Sequence, residues 1–128
     1  MLSFSGFRLE DGSPIYQQII RYLEQGIAAG TIRDGDGLPS RRVLSAQLGV
    51  NPNTVQKACR MLEEEGILVS HAGSKSFVTF TAERREELTA ELVVSGATAA
   101  ALKLKQLGIT LEEAIRLISR VWEEDERK

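Results

Sequence analysis

A mainly α-helical fold carrying one small two-stranded hairpin is predicted by three observations on this 128-residue sequence. Apolar residues recur at helical spacing in five separate segments. Those segments are bounded by capping and breaking residues such as Gly30, Ser40, Gly49, Asn51, Gly66, Gly108 and Thr110. Only Ile67–His71 and Ser76–Phe80 read as strands, with Ala72-Gly73-Ser74-Lys75 between them as a short hairpin loop.

The first helix is expected over Pro14–Ala29, with Ser13 as its N-cap and Pro14 at the first helical position. Ile15, Ile19, Tyr22, Leu23 and Ile27 form its apolar stripe, and Gly30 ends it. Residues 31–37 read as a glycine-rich loop. A shorter helix follows Leu38-Pro39-Ser40, capped by Ser40, with Val43, Leu44 and Leu48 on its buried side. Gly49 stops it, and only Val50 precedes the next cap, Asn51. Pro52 opens a third helix that runs to about Glu65. Its residues Val55, Ala58, Cys59 and Leu62 lie at i, i+3, i+4 and i+7, the spacing of one inward face.

Composition changes near Thr81. Residues 1–80 hold all three prolines and balance 8 basic against 8 acidic side chains. Residues 81–128 contain no proline, two glycines, 8 basic and 10 acidic side chains. A helix of ~26 residues, so ~39 Å long, is expected from Ala82 to Leu107. Leu88, Leu92, Val93, Ala97, Ala100, Ala101, Leu104 and Leu107 supply its apolar side. After Gly108, Thr110 with Glu113 matches a capping box and starts a last helix carrying Leu111, Ala114, Ile115, Leu117, Ile118, Val121 and Trp122. The expected domains are therefore residues 1–80 and 81–128.

Several function classes are excluded by count. The single Cys59 cannot form an internal disulfide, and one cysteine with one histidine (His71) cannot build a multi-ligand Cys/His metal site within the chain. A Ser-His-Asp or Cys-His catalytic set would need His71, and no motif surrounds it. No nucleophile motif or phosphate loop is present, so neither an enzyme nor a cofactor is implied. The N-terminus lacks a signal-peptide pattern and no stretch approaches the ~20 apolar residues of a membrane span. A cytoplasmic protein without membrane contact is expected.

The net charge is -2, so total charge does not announce a nucleic-acid partner. Local charge does. Gly37 to Leu62 holds Arg41, Arg42, Lys57 and Arg60 and no acidic residue, while Glu63, Glu64 and Glu65 are expected at the far end of the third helix, away from the contact. Helix, short helix, one-residue junction, helix and hairpin is the order of a winged helix-turn-helix, in which the third helix enters the major groove of DNA. With its aliphatic side inward, that helix shows Asn53, Gln56, Lys57 and Arg60 outward. Asn and Gln suit adenine edges; Lys and Arg suit guanine or phosphate. Asn51 and Thr54 sit at the helix start, where free backbone N–H groups favour phosphate.

Four motifs follow one another in order: Pro14-Ile15-Tyr16-Gln17-Gln18-Ile19, Gly35-Asp36-Gly37-Leu38-Pro39-Ser40, Leu48-Gly49-Val50-Asn51-Pro52-Asn53-Thr54-Val55 and Leu62-Glu63-Glu64-Glu65-Gly66-Ile67-Leu68. In them the chain resembles the GntR family of bacterial transcription regulators and, within it, the YtrA-like subfamily. Gly73-Ser74-Lys75-Ser76-Phe77-Val78 stands where the family has its wing motif, with Lys75 in place of the second glycine. The resemblance implies DNA contacts at Arg42, Asn51, Asn53, Thr54, Gln56 and Gly73, and Ser40, next to Arg41 and Arg42, is expected to join them. Arg41 and Val43 depart from the residues usual on either side of Arg42, and Arg41 is expected to add charge near DNA, as Lys75 does on the wing.

A mainly α protein is thus expected, with an N-terminal winged helix-turn-helix followed by a C-terminal two-helix dimerisation arm. Leu88, Leu92, Ala97, Ala100, Ala101, Leu104, Leu111, Ile115, Ile118 and Trp122 are its expected dimerisation residues. The small residues from Ser95 to Ala101 permit close helix approach. The expected activity is that of a homodimeric repressor on a two-fold symmetric double-stranded DNA operator; the resemblance adds transporter genes as targets. A winged-helix module that binds protein instead of DNA is the competing reading, and the acid-free Gly37–Leu62 stretch argues against it. The 48 residues 81–128 are too few for an obvious enclosed effector pocket, though a small molecule could bind between subunits.

Overall fold

A computed structural model describes residues 2–71 and 75–128. Its elements are α1 (Ile15–Ala29), β1 (Gly37–Leu38), α2 (Arg41–Leu48), α3 (Pro52–Glu64), β2 (Leu68–Ser70), β3 (Ser76–Val78), α4 (Ala82–Gln106) and α5 (Leu111–Glu126). The packed chain divides into one unit ending at Thr89 and a second comprising Ala90–Lys128.

The core of the first unit forms where the apolar stripes of α1 and α3 meet. Ile19, Leu23 and Ile27 of α1 and Val55, Ala58, Cys59 and Leu62 of α3 are all at most 1% exposed, so the period-3.6 reading of both helices holds. Ile15, at the start of the α1 stripe, is exposed instead. The helix begins one residue later than expected: Pro14, not Ser13, is its N-cap, and the Pro14 carbonyl accepts from the Gln17 and Gln18 N–H groups. Gln18 explains the shift. Its buried carboxamide accepts from Glu10 N–H and donates to the Glu10 and Ser13 carbonyls, tying down the incoming chain. Gly26 lies inside α1 because Ile32 folds back against it, and a Cβ there would overlap the Ile32 side chain.

Helix α2 is rotated from its expected register. Leu44 is fully buried and Leu48 half-buried, but Val43 is 43% exposed and Ser45 takes a buried place. The Ser45 hydroxyl donates to Val50 O at 2.6 Å, so it is satisfied inside and braces the junction to α3. Gly49 has φ +68 and caps α2, the left-handed conformation that the turn between the two helices requires.

The expected two-stranded hairpin is the larger part of a three-stranded antiparallel sheet of order β1-β3-β2. Gly37 pairs with Phe77, and Val69 pairs with Phe77 on its other side. The segment 31–37 thus ends in a strand, too short to show a period of two. Sequence periodicity also missed the N-terminal segment. Leu2, Phe4 and Phe7 are buried, with Phe4 stacked on Tyr22 at 5.0 Å and Phe7 edge-on to it at 5.4 Å.

The first two turns of α4 belong to the first unit. Arg85 donates to Ile27 O at 2.9 Å and Ala28 O at 3.0 Å, satisfying carbonyls at the negative end of α1. Leu88, expected on a dimerisation face, is only 3% exposed within its own chain. It is therefore a core residue of the first unit, and the chain's change of composition at Thr81 precedes the packing boundary.

In the second unit the Thr110 hydroxyl accepts from Glu113 N–H, and α5 starts at Leu111 as the capping signal predicts. Its apolar side chains stay open: Leu111 is 75%, Ile115 55%, Ile118 46% and Trp122 67% exposed. Between the later turns of α4 and α5 runs an apolar groove of about 810 Å³, lined by Leu92, Ala97, Ala100, Ala101 and Leu104 on one side and by Leu111, Ile115, Ile118 and Trp122 on the other.

Candidate nucleic-acid interface

Helix α3 is presented by its own N-terminus. The Asn51 side chain accepts from Asn53 N–H at 2.8 Å, and Pro52 occupies the first turn, where its missing N–H costs nothing. Asn51, Asn53, Gln56, Lys57 and Arg60 are exposed and Thr54 is half-buried. The polar face therefore points outward while Val55, Ala58, Cys59 and Leu62 are hidden. Ser40 is half-buried and accepts from Val43 N–H at 3.2 Å, so its hydroxyl caps α2. Arg42 is exposed, and no hydrogen bond or ion pair engages its side chain among the described residues. Arg60 and Lys75 share that state. Gly73 lies outside the described residues.

Two of the expected cations are held by the protein itself. Lys57 sets its ammonium 4.0 Å from the centre of the Tyr16 ring, a cation–π contact that orients it against α1. Arg41 departs further from expectation. Its side chain is only 26% exposed and forms an ion pair with Glu63. It also donates to Gln56 Oε1 at 2.5 Å and to Ser70 Oγ at 3.2 Å, and Ser70 Oγ donates to Glu63 Oε1 at 2.9 Å. Arg41 thus does not stand free for a phosphate, and Glu63 does not lie away from the surface. Gln56, Glu63 and Ser70 are 15, 22 and 29 residues from Arg41, beyond any helical or strand periodicity. Only the absence of an acid between Gly37 and Leu62 hinted that Arg41 would seek one outside that stretch.

Burial pushes the Cys59 thiol above its ordinary range, outweighing the neighbouring Arg41 guanidinium, which pulls it down. Cys59 is therefore a protonated core thiol at neutral pH. A thiol reagent is expected to label it only as fast as the protein opens, and equal labelling rates in native protein and in urea would overturn this placement. The folded state keeps this proton at pH values where the unfolded chain loses it. Stability therefore falls as pH rises from the ordinary thiol range toward the raised folded value, a component absent from Cys59→Ala. The His71 ring packs edge-on against Phe77 at 5.2 Å, and the His71 backbone N–H donates to Lys75 O, closing the base of the wing.

An exposed helix start braced by a shorter helix across a left-handed glycine, with a small sheet beside it, defines a DNA-binding winged helix-turn-helix. The family model described as "Bacterial regulatory proteins, gntR family" matches residues 15–78. The chain belongs to the GntR family of transcription regulators, in its YtrA-like subfamily.

The HTH-type transcriptional repressor YtrA of Bacillus subtilis (strain 168) is 34% identical over 116 residues, covering 85% of each chain. A GntR family transcriptional regulator from Listeria monocytogenes superposes with a TM-score of 0.74 at 33% identity, covering 88% of this chain and 98% of that one. YtrA from Sulfolobus acidocaldarius gives a TM-score of 0.55 at 35% identity over 76% of this chain and 99% of the other. The family is one of DNA-binding regulators, not of enzymes. Among the described residues no helix is long and apolar enough to cross a membrane.

Proposed function

We propose that this DNA-binding regulator acts as a homodimeric repressor on a two-fold symmetric operator. In this reading residues 1–80 form the DNA-binding domain and residues 81–128 the dimerisation arm. The observation that carries it is the outward face of α3: Asn53, Gln56, Lys57 and Arg60 are exposed directly after an open helix N-terminus. In the major groove these groups meet base edges, and Asn51, Thr54 and Arg42 meet the flanking backbone. Lys75 and Gly73 of the wing 67–80 reach the neighbouring groove. The exposed apolar side chains of α5 support a second copy as partner. Two copies of α3 about one DNA turn (~34 Å) apart then read the two half-sites. Repression follows from occupying the operator, and the name of the Bacillus relative supports that sign. Control of transporter genes rests on the family resemblance.

Gel shifts of duplex DNA in rising salt, with wild type and Arg42→Ala, test the docking. Wild-type affinity is expected to fall steeply with salt. Arg42→Ala is expected to weaken binding to all sequences alike and to lower the salt slope by about 1, the loss of one phosphate contact. Unchanged affinity and slope in the variant would remove Arg42 from the interface. Salt-insensitive wild-type binding would favour a protein partner instead.

A further inference from the structure

We propose that Arg41 is a specificity-determining positioning residue, which acts through Gln56 and turns the base preference of α3 at that position from adenine toward guanine. The inference rests on the proposed docking of α3 and adds the base chemistry read there.

An unencumbered glutamine binds adenine with both ends of its carboxamide, Oε1 accepting from N6–H and Nε2 donating to N7. Gln56 is not unencumbered. Arg41 Nη1 lies 2.5 Å from its Oε1. A guanidinium only donates, so the carboxamide atom facing it must be the oxygen, and the amide orientation is settled by chemistry. One of the two oxygen lone pairs is thereby used, while both Nε2 hydrogens remain available. The exposed end of Gln56 becomes donor-rich and sits beside guanidinium N–H groups that repel another donor. Guanine, with acceptors at both N7 and O6, suits that end; the N6–H donor of adenine does not.

The arrangement is held from behind. The same guanidinium is paired with Glu63 and donates to Ser70 Oγ at 3.2 Å, and Ser70 in turn donates to Glu63. Swinging Arg41 out to a phosphate would break all of these contacts at once. A recognition helix, the short helix before it and the first wing strand therefore join in setting one glutamine.

Selection of bound duplexes from a random pool, with wild type, Gln56→Ala and Arg41→Met, tests this. Arg41→Met keeps the aliphatic stem and removes every donor. Gln56→Ala is expected to flatten preference at one base pair per half-site, which identifies the position. At that pair wild type is expected to select guanine, and Arg41→Met to shift the guanine-to-adenine ratio toward adenine by about tenfold. Adenine selected by wild type, no flattened position in Gln56→Ala, or an unchanged ratio in Arg41→Met each overturns the proposal while leaving operator binding intact. Should Arg41→Met fail to fold, the wild-type base at the Gln56 position still decides. Loss of the docking itself has a different signature: wild type then selects no sequence and shows no salt-dependent duplex binding, and both readings fall together.

Discussion

Ile118→Glu is expected to convert the protein to a monomer and to weaken operator binding by about 10²–10⁴-fold, the loss that follows when two linked half-site contacts become one. Ile118 lies on the apolar side of α5, 46% exposed, and lines the groove shared with the later turns of α4. Its neighbours Ile115, Leu111 and Trp122 are open as well. A second copy laid on this face would remove them from water, and a carboxylate placed at its centre would have to be buried without a partner. Light scattering after size exclusion reads the mass, and gel shift reads the affinity. The first unit does not include residue 118, so the fold that presents α3 should persist in the variant. A variant that stays dimeric with wild-type affinity would move the dimer contact elsewhere.

Leu62→Ala is expected to destabilise the first unit by about 2–5 kcal/mol, the usual cost of a buried leucine truncated to alanine with incomplete collapse of the cavity. Leu62 is completely buried on the inner side of α3. Against a typical domain stability of about 5–15 kcal/mol, that loss lowers the urea midpoint markedly. Val43→Ala is the informative contrast. Apolar patterning places Val43 inside, but it is 43% exposed, so its truncation should cost no more than about 0.5 kcal/mol. Urea unfolding followed by circular dichroism separates the two. Equal losses would mean that α2 packs in the register expected from its sequence and not in the one observed.

Helices α1, α3, α4 and α5 were legible because each carries strong punctuation or many turns of periodic apolar residues. Asn51-Pro52 and Thr110 are examples in which local chemistry alone sets a helix start. Helix α2 has only 8 residues, too few turns for apolar spacing to fix which neighbour of Leu44 shares its buried side: the stripe expected through Val43 runs through Ser45 instead. Nothing local marks Ser45 as an inside residue, because a buried hydroxyl is acceptable only when an acceptor waits for it, and Val50 O becomes available only once the turn has formed. Strand β1 is invisible to periodicity for a related reason: its two residues exist as a strand only through β3, which comes far later in the chain.

The candidate site divides in the same way. That Asn53, Gln56, Lys57 and Arg60 share an outward face followed from spacing alone, because a helix with four buried residues at i, i+3, i+4 and i+7 leaves no other side for them. Spacing and punctuation are enough for the class of fold, for the outward polar face of α3 and for the family to which the chain belongs. Which of those polar groups are free is set by packing between elements: Arg42 is open, Lys57 leans on Tyr16, and Arg41 is bound to Glu63, Ser70 and Gln56. Periodicity reports the direction in which a side chain leaves its own helix. The partner it meets there is brought by another element, at a sequence distance that no local pattern encodes.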